Sequence, residues 1–379
     1  MKIVNGILFT ESGFYRGTLQ VENGGIVSIA APSPEDGREG CVDAAGGYVL
    51  PGLLDIHIHG YAGCDASDPD PQALRRMARA MAREGVTGFL GTTMALPRSE
   101  LRQAAGNFAA FRSSPEGDGA VLWGMHMEGP FFSRGKRGAQ AESAIVPPDI
   151  PLFEEINRAS GGMIRLVDVA PELPGALPFI RRAAQTCAVS LAHTEADYDT
   201  AAQALRQGAD HITHLYNAMP PYAHRAPGVI GAAADFARYC ELIGDGVHLH
   251  PAVVRQTFSF FGGDRICLIS DCMRAGGLPD GAYTLGGQAV RVENGKATLP
   301  DGTLAGSVVS LSECLRRVIR FGVPAEQAIR SATLIPAQSV GLGDVTGSLR
   351  PGKRADLVVM DAGWQVRLVM IGGRIVHRA

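Results

Sequence analysis

The sequence lacks the features of several protein classes. It has no basic surplus, because 35 Lys and Arg residues stand against 38 Asp and Glu residues and the formal net charge is −3, so we expect no nucleic-acid partner. No apolar run approaches the roughly 20 residues of a membrane span, and the first residues lack the long apolar stretch and cleavage site of a signal peptide. The seven cysteines are scattered without a C-x-x-C pair, which is typical of reduced thiols. We therefore expect a cytoplasmic protein with no membrane partner.

The centre of the chain alternates short apolar runs with helical patterns, whereas both ends are rich in strand-like segments and glycine turns. Eight such runs, from LLDIHIH to ICLISD, are each followed by a helix or a helix-sized insertion. This alternation predicts a closed parallel sheet. The predicted fold class is α/β: a (β/α)8 TIM-like barrel at 50–349, with a small β-sandwich domain built from both chain ends, at 1–49 and 350–379.

Six residues with metal-binding or acid–base side chains stand at the ends of these apolar runs. The C-terminal ends of parallel strands meet at one end of a barrel, so we expect the six side chains to lie together. Imidazole and carboxylate groups are ligands of zinc and similar divalent ions, and a divalent ion activates water. The pattern predicts a metal-dependent hydrolase that uses His57, His59, Glu128, His193, His214 and Asp271.

The H-x-H pair and the glutamate have competing interpretations. His57 and His59 are two residues apart on a strand and share a face; they are surface histidines or ligands, and their apolar neighbours favour ligands. Glu128 forms a salt bridge to an arginine or binds a cation, because a buried carboxylate is costly without a partner. No lysine ends a strand in this set, so we expect no bridging carbamylated lysine, and Glu128 is the candidate bridge between two ions.

The other positions also have ordinary alternatives. His193 and His214 are core histidines or ligands, and their matching places on successive strands favour ligands. Asp271 is a helix N-cap or a group that takes a proton from water, and its place at the end of the last strand favours the second role. We interpret His126 as a packing residue or a neighbour of the ligands, and His211 as structural.

Several motifs occur in family order along nearly the whole chain: PGLLDIHIHG, HMEGPFFS, RGAQ, AHTEA, THLYNAMPP, HRAPG, DGVHLHP, SDCM and LAGS. With these motifs the chain resembles the amidohydrolase superfamily and, within it, the N-acetylglucosamine-6-phosphate deacetylase family. The resemblance implies hydrolysis of the N-acetyl group of N-acetylglucosamine 6-phosphate, giving glucosamine 6-phosphate and acetate, in amino-sugar catabolism and cell-wall sugar recycling. It also implies a homodimer whose partner subunit reaches towards the phosphate.

The resemblance assigns a role to each site residue. Glu128, His193 and His214 would bind the principal divalent ion, with zinc first and iron, manganese, cobalt or nickel as alternatives. His57 and His59 would bind a second ion, so each subunit would hold one or two. Asp271 would act as general base and then as acid. Substrate contacts would come from Ala139, Gln140, Asn217, Ala218, Arg225, Asp245, His248, Leu304, Ala305 and Gly306.

Three positions depart from the family pattern. The usual REPG reads Arg225-Ala226-Pro227-Gly228, which keeps the arginine, so phosphate binding is still expected. Cys272 follows Asp271 where alanine is common, and Cys64 stands where glycine or histidine is usual. Each thiol is a soft metal ligand, an oxidation-sensitive site or a buried thiol without a role, and we favour the last.

Three other functions fit the sequence less well than this deacetylase activity. The same chemistry on N-acetylgalactosamine 6-phosphate would differ only in residues that contact the O4 hydroxyl of the sugar, which the sequence does not identify. Another amidohydrolase activity, such as cyclic-amide hydrolysis or deamination, is disfavoured by the HLYNAM and EGPF segments. A catalytically silent scaffold is disfavoured because all six strand-end residues are present.

Overall fold

The computed structural model describes residues 1–33, 40–113, 117 and 119–379, and these residues contain 21 strands. Along the chain the strands are β1 (Lys2–Thr10), β2 (Gly13–Glu22), β3 (Gly25–Ala30), β4 (Cys41–Asp43), β5 (Tyr48–Pro51), β6 (Leu53–Ile58), β7 (Gly60–Tyr61), β8 (Cys64–Asp65), β9 (Val86–Thr93), β10 (Val121–Met127), β11 (Ile164–Val169), β12 (Ala188–Leu191), β13 (His211–Ile212), β14 (Tyr239–Ile243), β15 (Ile266–Ile269), β16 (Gly281–Leu285), β17 (Gln288–Glu293), β18 (Lys296–Thr298), β19 (Leu357–Met360), β20 (Val366–Ile371) and β21 (Arg374–Arg378).

Ten α-helices occur in the same described residues. Two of them begin at an aspartate whose side chain accepts a hydrogen bond from the first turn: Asp149 before α3 and Asp197 before α5, a common N-cap arrangement. No helix in this part of the chain is long and apolar enough to cross a membrane. The helices are α1 (Ala73–Arg83), α2 (Arg98–Arg112), α3 (Ile150–Ala159), α4 (Ala176–Ala183), α5 (Tyr198–Arg206), α6 (Gly228–Phe236), α7 (Pro251–Phe261), α8 (Leu311–Arg320), α9 (Ala325–Ser331) and α10 (Leu334–Ser339).

Eight parallel strands form the predicted barrel, in the order β15-β14-β13-β12-β11-β10-β9-β6. The two outer strands of this order, β6 and β15, contact each other, and the Asp271 amide donates to the His57 carbonyl with an N···O distance of 3.0 Å. Every residue of β6 and β9 is buried, as expected for parallel strands covered by helices on the outside and by side chains within. The barrel prediction is confirmed.

A separate sheet joins the two ends of the chain. It has the order β21-β20-β19-β5-β1-β2-β3, and β4 also pairs with β1. Its strands come from residues 2–51 and 357–378, so the predicted association of both chain ends is observed. The sandwich arrangement and the domain limits stay predictions, and β5 runs across the predicted limit between residues 49 and 50.

One local feature was not predicted from the sequence. The segment after the last barrel strand contains a three-stranded antiparallel sheet, β16-β17-β18. This sheet brings Leu285 to the candidate site.

Glycines in the barrel allow close packing that larger residues would block. A Cβ on Gly91 of β9 would lie 2.8 Å from Phe108 Cζ of α2, and Phe108 is fully buried. Gly106 lies on the same helix, but a Cβ there would meet no heavy atom within 4 Å. The two glycines therefore separate a packing effect from a backbone effect.

We predict that Gly91→Ala lowers the free energy of unfolding by about 1–3 kcal/mol, because the methyl group overpacks a closed interface. The matched control Gly106→Ala should keep or raise it by about 0.5–1 kcal/mol, since alanine restricts the unfolded chain and favours helix. Chemical denaturation of both variants and the parent measures the difference. Equal stability of the two variants would contradict this packing.

Candidate active site

The six strand-end residues meet at one end of the barrel. His57 lies in β6 and His59 directly after it, and Glu128 follows β10. His193, His214 and Asp271 each lie two residues beyond the end of β12, β13 and β15. All six are buried.

Three of these residues have a left-handed backbone, which is uncommon for residues other than glycine. The φ angles are 45° at His193, 30° at His214 and 47° at Asp271. Such a conformation costs of order 1–3 kcal/mol, and it persists only where the surrounding structure holds it. The residues after Asp271 form a turn, not a helix, which disfavours the N-cap interpretation. The three turns direct the side chains into the barrel mouth.

The side chains of Glu128, His193 and His214 form a close triangle. His193 Nε2 lies 3.1 Å from both Glu128 Oε1 and His214 Nε2, and His214 Nε2 lies 3.3 Å from Glu128 Oε1. Ligand atoms at about 2.1 Å from a tetrahedral zinc ion lie about 3.4 Å apart. The donor atoms are therefore spaced as a divalent ion requires.

A second group of donor atoms shares the same glutamate. His59 Nε2 lies 3.2 Å from Glu128 Oε2 and 3.4 Å from Asp271 Oδ1. His57 Nε2 lies 3.6 Å from Glu128 Oε1 and 3.5 Å from Asp271 Oδ1, and it has no hydrogen-bond partner although it is buried. An imidazole nitrogen buried without a partner is costly, and a cation between these groups would satisfy it. Glu128 thus lies between two possible ion positions.

The hydrogen bonds of the Nδ1 atoms determine which ring nitrogen of each histidine can bind an ion. The Nδ1 of His57 lies 2.8 Å from Glu241 Oε2, that of His59 3.2 Å from the Thr92 carbonyl, and that of His193 2.8 Å from the Lys136 carbonyl. Each partner is an acceptor, so each Nδ1 donates its proton to that partner, and each Nε2 is the ring nitrogen left to bind an ion. Metal-binding histidines are typically oriented in this way.

The charges around the imidazoles favour a cation. Burial alone would lower the pKa of His57, but Glu241, Asp271 and Glu128 raise it to about 10. Burial alone would raise the pKa of Asp271, but His57 and His59 lower it to about 2. In the same way His59, His193 and His214 hold the pKa of Glu128 well below its ordinary value despite burial. The carboxylates that stabilise the protonated imidazoles would equally stabilise a bound divalent ion.

The triangle opens into a cavity of about 240 Å³. Seven of the predicted substrate residues line it: Ala139, Gln140, Asn217, Ala218, His248, Leu304 and Gly306. Gln140 connects the cavity to the ligands, because its Nε2 donates to Glu128 Oε2 at 2.7 Å and its Oε1 accepts from the Ala95 amide at 2.8 Å.

Three predicted substrate residues do not line this cavity. Asp245 lies behind His248, and its Oδ2 is 2.7 Å from His248 Nδ1, so it orients that imidazole. Ala305 is fully buried. Arg225 is exposed on the loop before α6.

The two unusual cysteines are buried and do not line the cavity. Cys64 accepts a hydrogen bond from Arg76 Nε at 3.1 Å. Cys272 is fully buried, and burial raises the pKa of its thiol well above the ordinary value. A buried protonated thiol is neither a good ligand nor readily oxidised, which supports the interpretation of Cys272 as a thiol without a role.

The chain is similar in sequence and in fold to known proteins. A model of the amidohydrolase family matches residues 48–376. The chain belongs to this family. It is 38% identical to an N-acetylglucosamine-6-phosphate deacetylase of Bacillus subtilis (strain 168), over 95% of this chain and 92% of the relative. It is 36% identical to an N-acetylgalactosamine-6-phosphate deacetylase of Escherichia coli O157:H7, over 93% of this chain and 92% of the relative.

A solved structure has the same fold over its whole length. An aspartate-to-alanine mutant of an N-acetyl-D-glucosamine-6-phosphate deacetylase from Mycobacterium smegmatis, in complex with N-acetyl-D-glucosamine-6-phosphate, superposes on this amidohydrolase with a TM-score of 0.92. The two are 30% identical, and the match covers 99% of each chain.

The sequence interpretation missed residues that contact the candidate ligands or line the cavity. Glu241, fully buried in the middle of β14, accepts from His57 Nδ1 and, at 3.3 Å, from the His214 amide. A single carboxylate inside the apolar run YCELI was the available signal. The cavity is also lined by Met94, Leu285 and Thr303, whose residue types gave no signal.

His126 lies next to the ligands and does not face the cavity. Its Nε2 is 3.0 Å from Asp168 Oδ1, and its ring packs edge-on against His57 at 4.6 Å between centroids. His211 Nδ1 is 2.9 Å from Asp210 Oδ1, and its ring contacts Tyr239.

We predict that Glu241→Gln weakens divalent-ion binding by this amidohydrolase about 10- to 100-fold, because the charge that orients His57 is removed while the shape is kept. Titration against a competing chelator measures the affinity. The exposed Glu293→Gln is the control and should bind as the parent does. Unchanged affinity in Glu241→Gln would contradict an orienting role for Glu241.

Proposed function

We propose that this amidohydrolase is a metal-dependent deacetylase that hydrolyses the N-acetyl group of N-acetylglucosamine 6-phosphate to glucosamine 6-phosphate and acetate. The triangle of Glu128, His193 and His214 donor atoms, open to a cavity, carries the proposal. The Bacillus subtilis relative and the Mycobacterium smegmatis complex support the substrate.

We assign Glu128, His193 and His214 as the residues that would hold the principal divalent ion, and His57 and His59, with Glu128, as those that would hold a second ion if one binds. Such an ion would polarise the amide carbonyl and would lower the pKa of water towards about 7. Imidazole with carboxylate suits zinc first, and iron, manganese, cobalt or nickel also fit such donors.

Asp271 is the group that we assign to proton transfer. Its Oδ1 lies beside the Nε2 atoms of His57 and His59 and its carboxylate borders the cavity. A low pKa keeps Asp271 ionised at neutral pH. It can therefore accept the proton of the attacking water and then donate that proton to the departing amine nitrogen.

His248 is the group that we assign to the carbonyl oxygen. It lines the cavity, and Asp245 holds its Nδ1 so that Nε2 is the nitrogen left for the substrate. A hydrogen bond to the oxygen that gains charge lowers the barrier of acyl transfer.

The phosphate is assigned to the loop that follows β13. Asn217 and Ala218 line the cavity there, and Arg225 lies further along the same loop and is exposed. Arginine suits a phosphate dianion because its guanidinium group donates two parallel hydrogen bonds. Leu304 and Gly306 also line the cavity, and a Cβ on Gly306 would lie 2.8 Å from the Asp271 carbonyl oxygen.

The second candidate substrate is N-acetylgalactosamine 6-phosphate. The relative from Escherichia coli O157:H7 that is named for this activity is 36% identical, close to the 38% of the Bacillus subtilis relative. The two sugars differ only at O4, so the same ions, base and phosphate contacts serve both.

Two further properties are the oligomeric state, inferred from the family resemblance, and the cellular location, inferred from the cysteines. We infer a homodimer, which sedimentation velocity tests directly. We also infer a cytoplasmic location, because all seven cysteines are free thiols, as is usual in a reducing compartment.

We predict that the purified, metal-loaded protein releases acetate fastest from N-acetylglucosamine 6-phosphate. N-Acetylgalactosamine 6-phosphate and unphosphorylated N-acetylglucosamine are the comparison substrates. Faster release from the galacto epimer would establish the second candidate. Equal rates with and without phosphate would contradict the phosphate assignment, and no release from any of the three would contradict the deacetylase.

We predict that Asp271→Asn lowers kcat by about 10²- to 10⁴-fold, because the amide cannot accept the proton of water. Its metal content should stay close to that of the parent. The control is Asp264→Asn, since that side chain is 77% exposed and lies in the 3₁₀ turn before β15. Parent-like turnover in Asp271→Asn would rule out its role as the base.

A further inference from the structure

A second cavity, of about 340 Å³, lies at the other end of the barrel strands. Its walls include the start of β10, the residues before β11, one face of α1 and the end of α2. The outer sheet contributes Ile371 and Arg374, so the cavity lies where barrel and outer sheet meet. None of the candidate active-site residues lines it.

Six arginines line this cavity: Arg75, Arg79, Arg112, Arg165, Arg354 and Arg374. Among the described residues that line it there is no aspartate or glutamate. Arg354 is balanced by Asp356, with 3.0 Å between Nε and Oδ1. Arg79 and Arg374 also have further partners. The argument therefore rests on the three remaining arginines, which contact neutral groups.

Arg75, Arg112 and Arg165 form no ion pair with the described residues. Arg75 lies over the Phe111 ring at 5.4 Å. Arg112 donates to the Gly161 carbonyl, and Arg165 donates to the carbonyls of Trp123 and Val340. A carbonyl uses one or two of the five guanidinium N–H groups and leaves the charge unbalanced. The pKa of Arg165 is lowered by burial and by Arg112, as expected where positive charges crowd.

Glycines on two neighbouring strands make room for the cavity walls. A Cβ on Gly88 would lie 2.4 Å from Trp123 Nε1, and a Cβ on Gly124 would lie 2.8 Å from Arg165 Cγ. The Trp123 indole and the aliphatic part of the Arg165 side chain therefore occupy places that a larger residue at either position would block. Trp123 and Phe111 give the cavity two aromatic surfaces beside its arginines.

We propose that this cavity is a binding site for a small molecule that has both a phosphate group and a planar aromatic ring, as a nucleoside monophosphate does. A phosphate dianion balances charges that backbone carbonyls leave unbalanced, and arginines bind it through paired hydrogen bonds. The aromatic side chains provide surfaces on which a planar ring stacks. The site is separate from the proposed deacetylase site and does not depend on that activity.

The experiment is calorimetric titration of the metal-loaded protein with adenosine 5′-monophosphate, with inorganic phosphate as the second probe. The test variant is Arg75→Gln with Arg112→Gln, one substitution on α1 and one on α2. The matched control is Arg83→Gln with Arg102→Gln, which removes two exposed charges from the same helices outside the cavity.

We expect saturable binding of the nucleotide by the parent and by the control pair. The test pair should bind it at least tenfold more weakly, since loss of one charged hydrogen-bond partner typically reduces affinity about tenfold or more. The KM for the acetylated sugar phosphate should stay the same in both pairs, which separates this site from the active site.

Three outcomes would overturn the proposal. One is no saturable binding of the nucleotide by the parent. The second is equal affinity in the test pair and the control pair. The third is that inorganic phosphate binds as tightly as the nucleotide, which would show that the planar ring does not contribute to binding. Circular dichroism of each pair checks that a loss of binding is not a loss of folding.

Discussion

The site depends on one buried carboxylate, that of Glu128, and on the four imidazoles around it. Both of its oxygens have imidazole Nε2 atoms within 3.6 Å. A buried carboxylate without positive charge nearby is unstable, and so are imidazoles that face one another without a shared proton or cation. A divalent ion removes both problems at once. The spacing between the Glu128 oxygens and the imidazole Nε2 atoms therefore supports the proposed chemistry more strongly than any single residue does.

The fold supplies this arrangement through the ends of its strands. Parallel strands bring residues that are distant in sequence to one end of the barrel, and left-handed turns at His193, His214 and Asp271 direct those side chains inward. Acceptors behind the ligands, among them Glu241 and the Lys136 carbonyl, determine which nitrogen faces the cavity. A left-handed turn persists only where the surrounding structure holds it, and the acceptors behind the ligands are part of that surrounding structure.

The sequence predicted the barrel and the six strand-end residues because both follow from local patterns. An apolar run that ends in histidine or glutamate is visible without knowledge of its neighbours. Glu241 was missed because its importance depends on His57, far away in the chain, although a carboxylate within an apolar strand was a signal. The sheet β16-β17-β18 was missed although Asn294-Gly295 is a strong hairpin signal. The distance between Arg225 and the cavity depends on the path of a loop, which no local pattern describes.

The most direct test of the central claim is anomalous X-ray diffraction from crystals of the zinc-loaded protein. The account predicts a zinc peak within about 2.3 Å of Glu128 Oε1, His193 Nε2 and His214 Nε2. If a second ion binds, its peak should lie beside His57 and His59. Stoichiometric zinc located elsewhere, with these three donor atoms still in contact with one another and no peak between them, would contradict it.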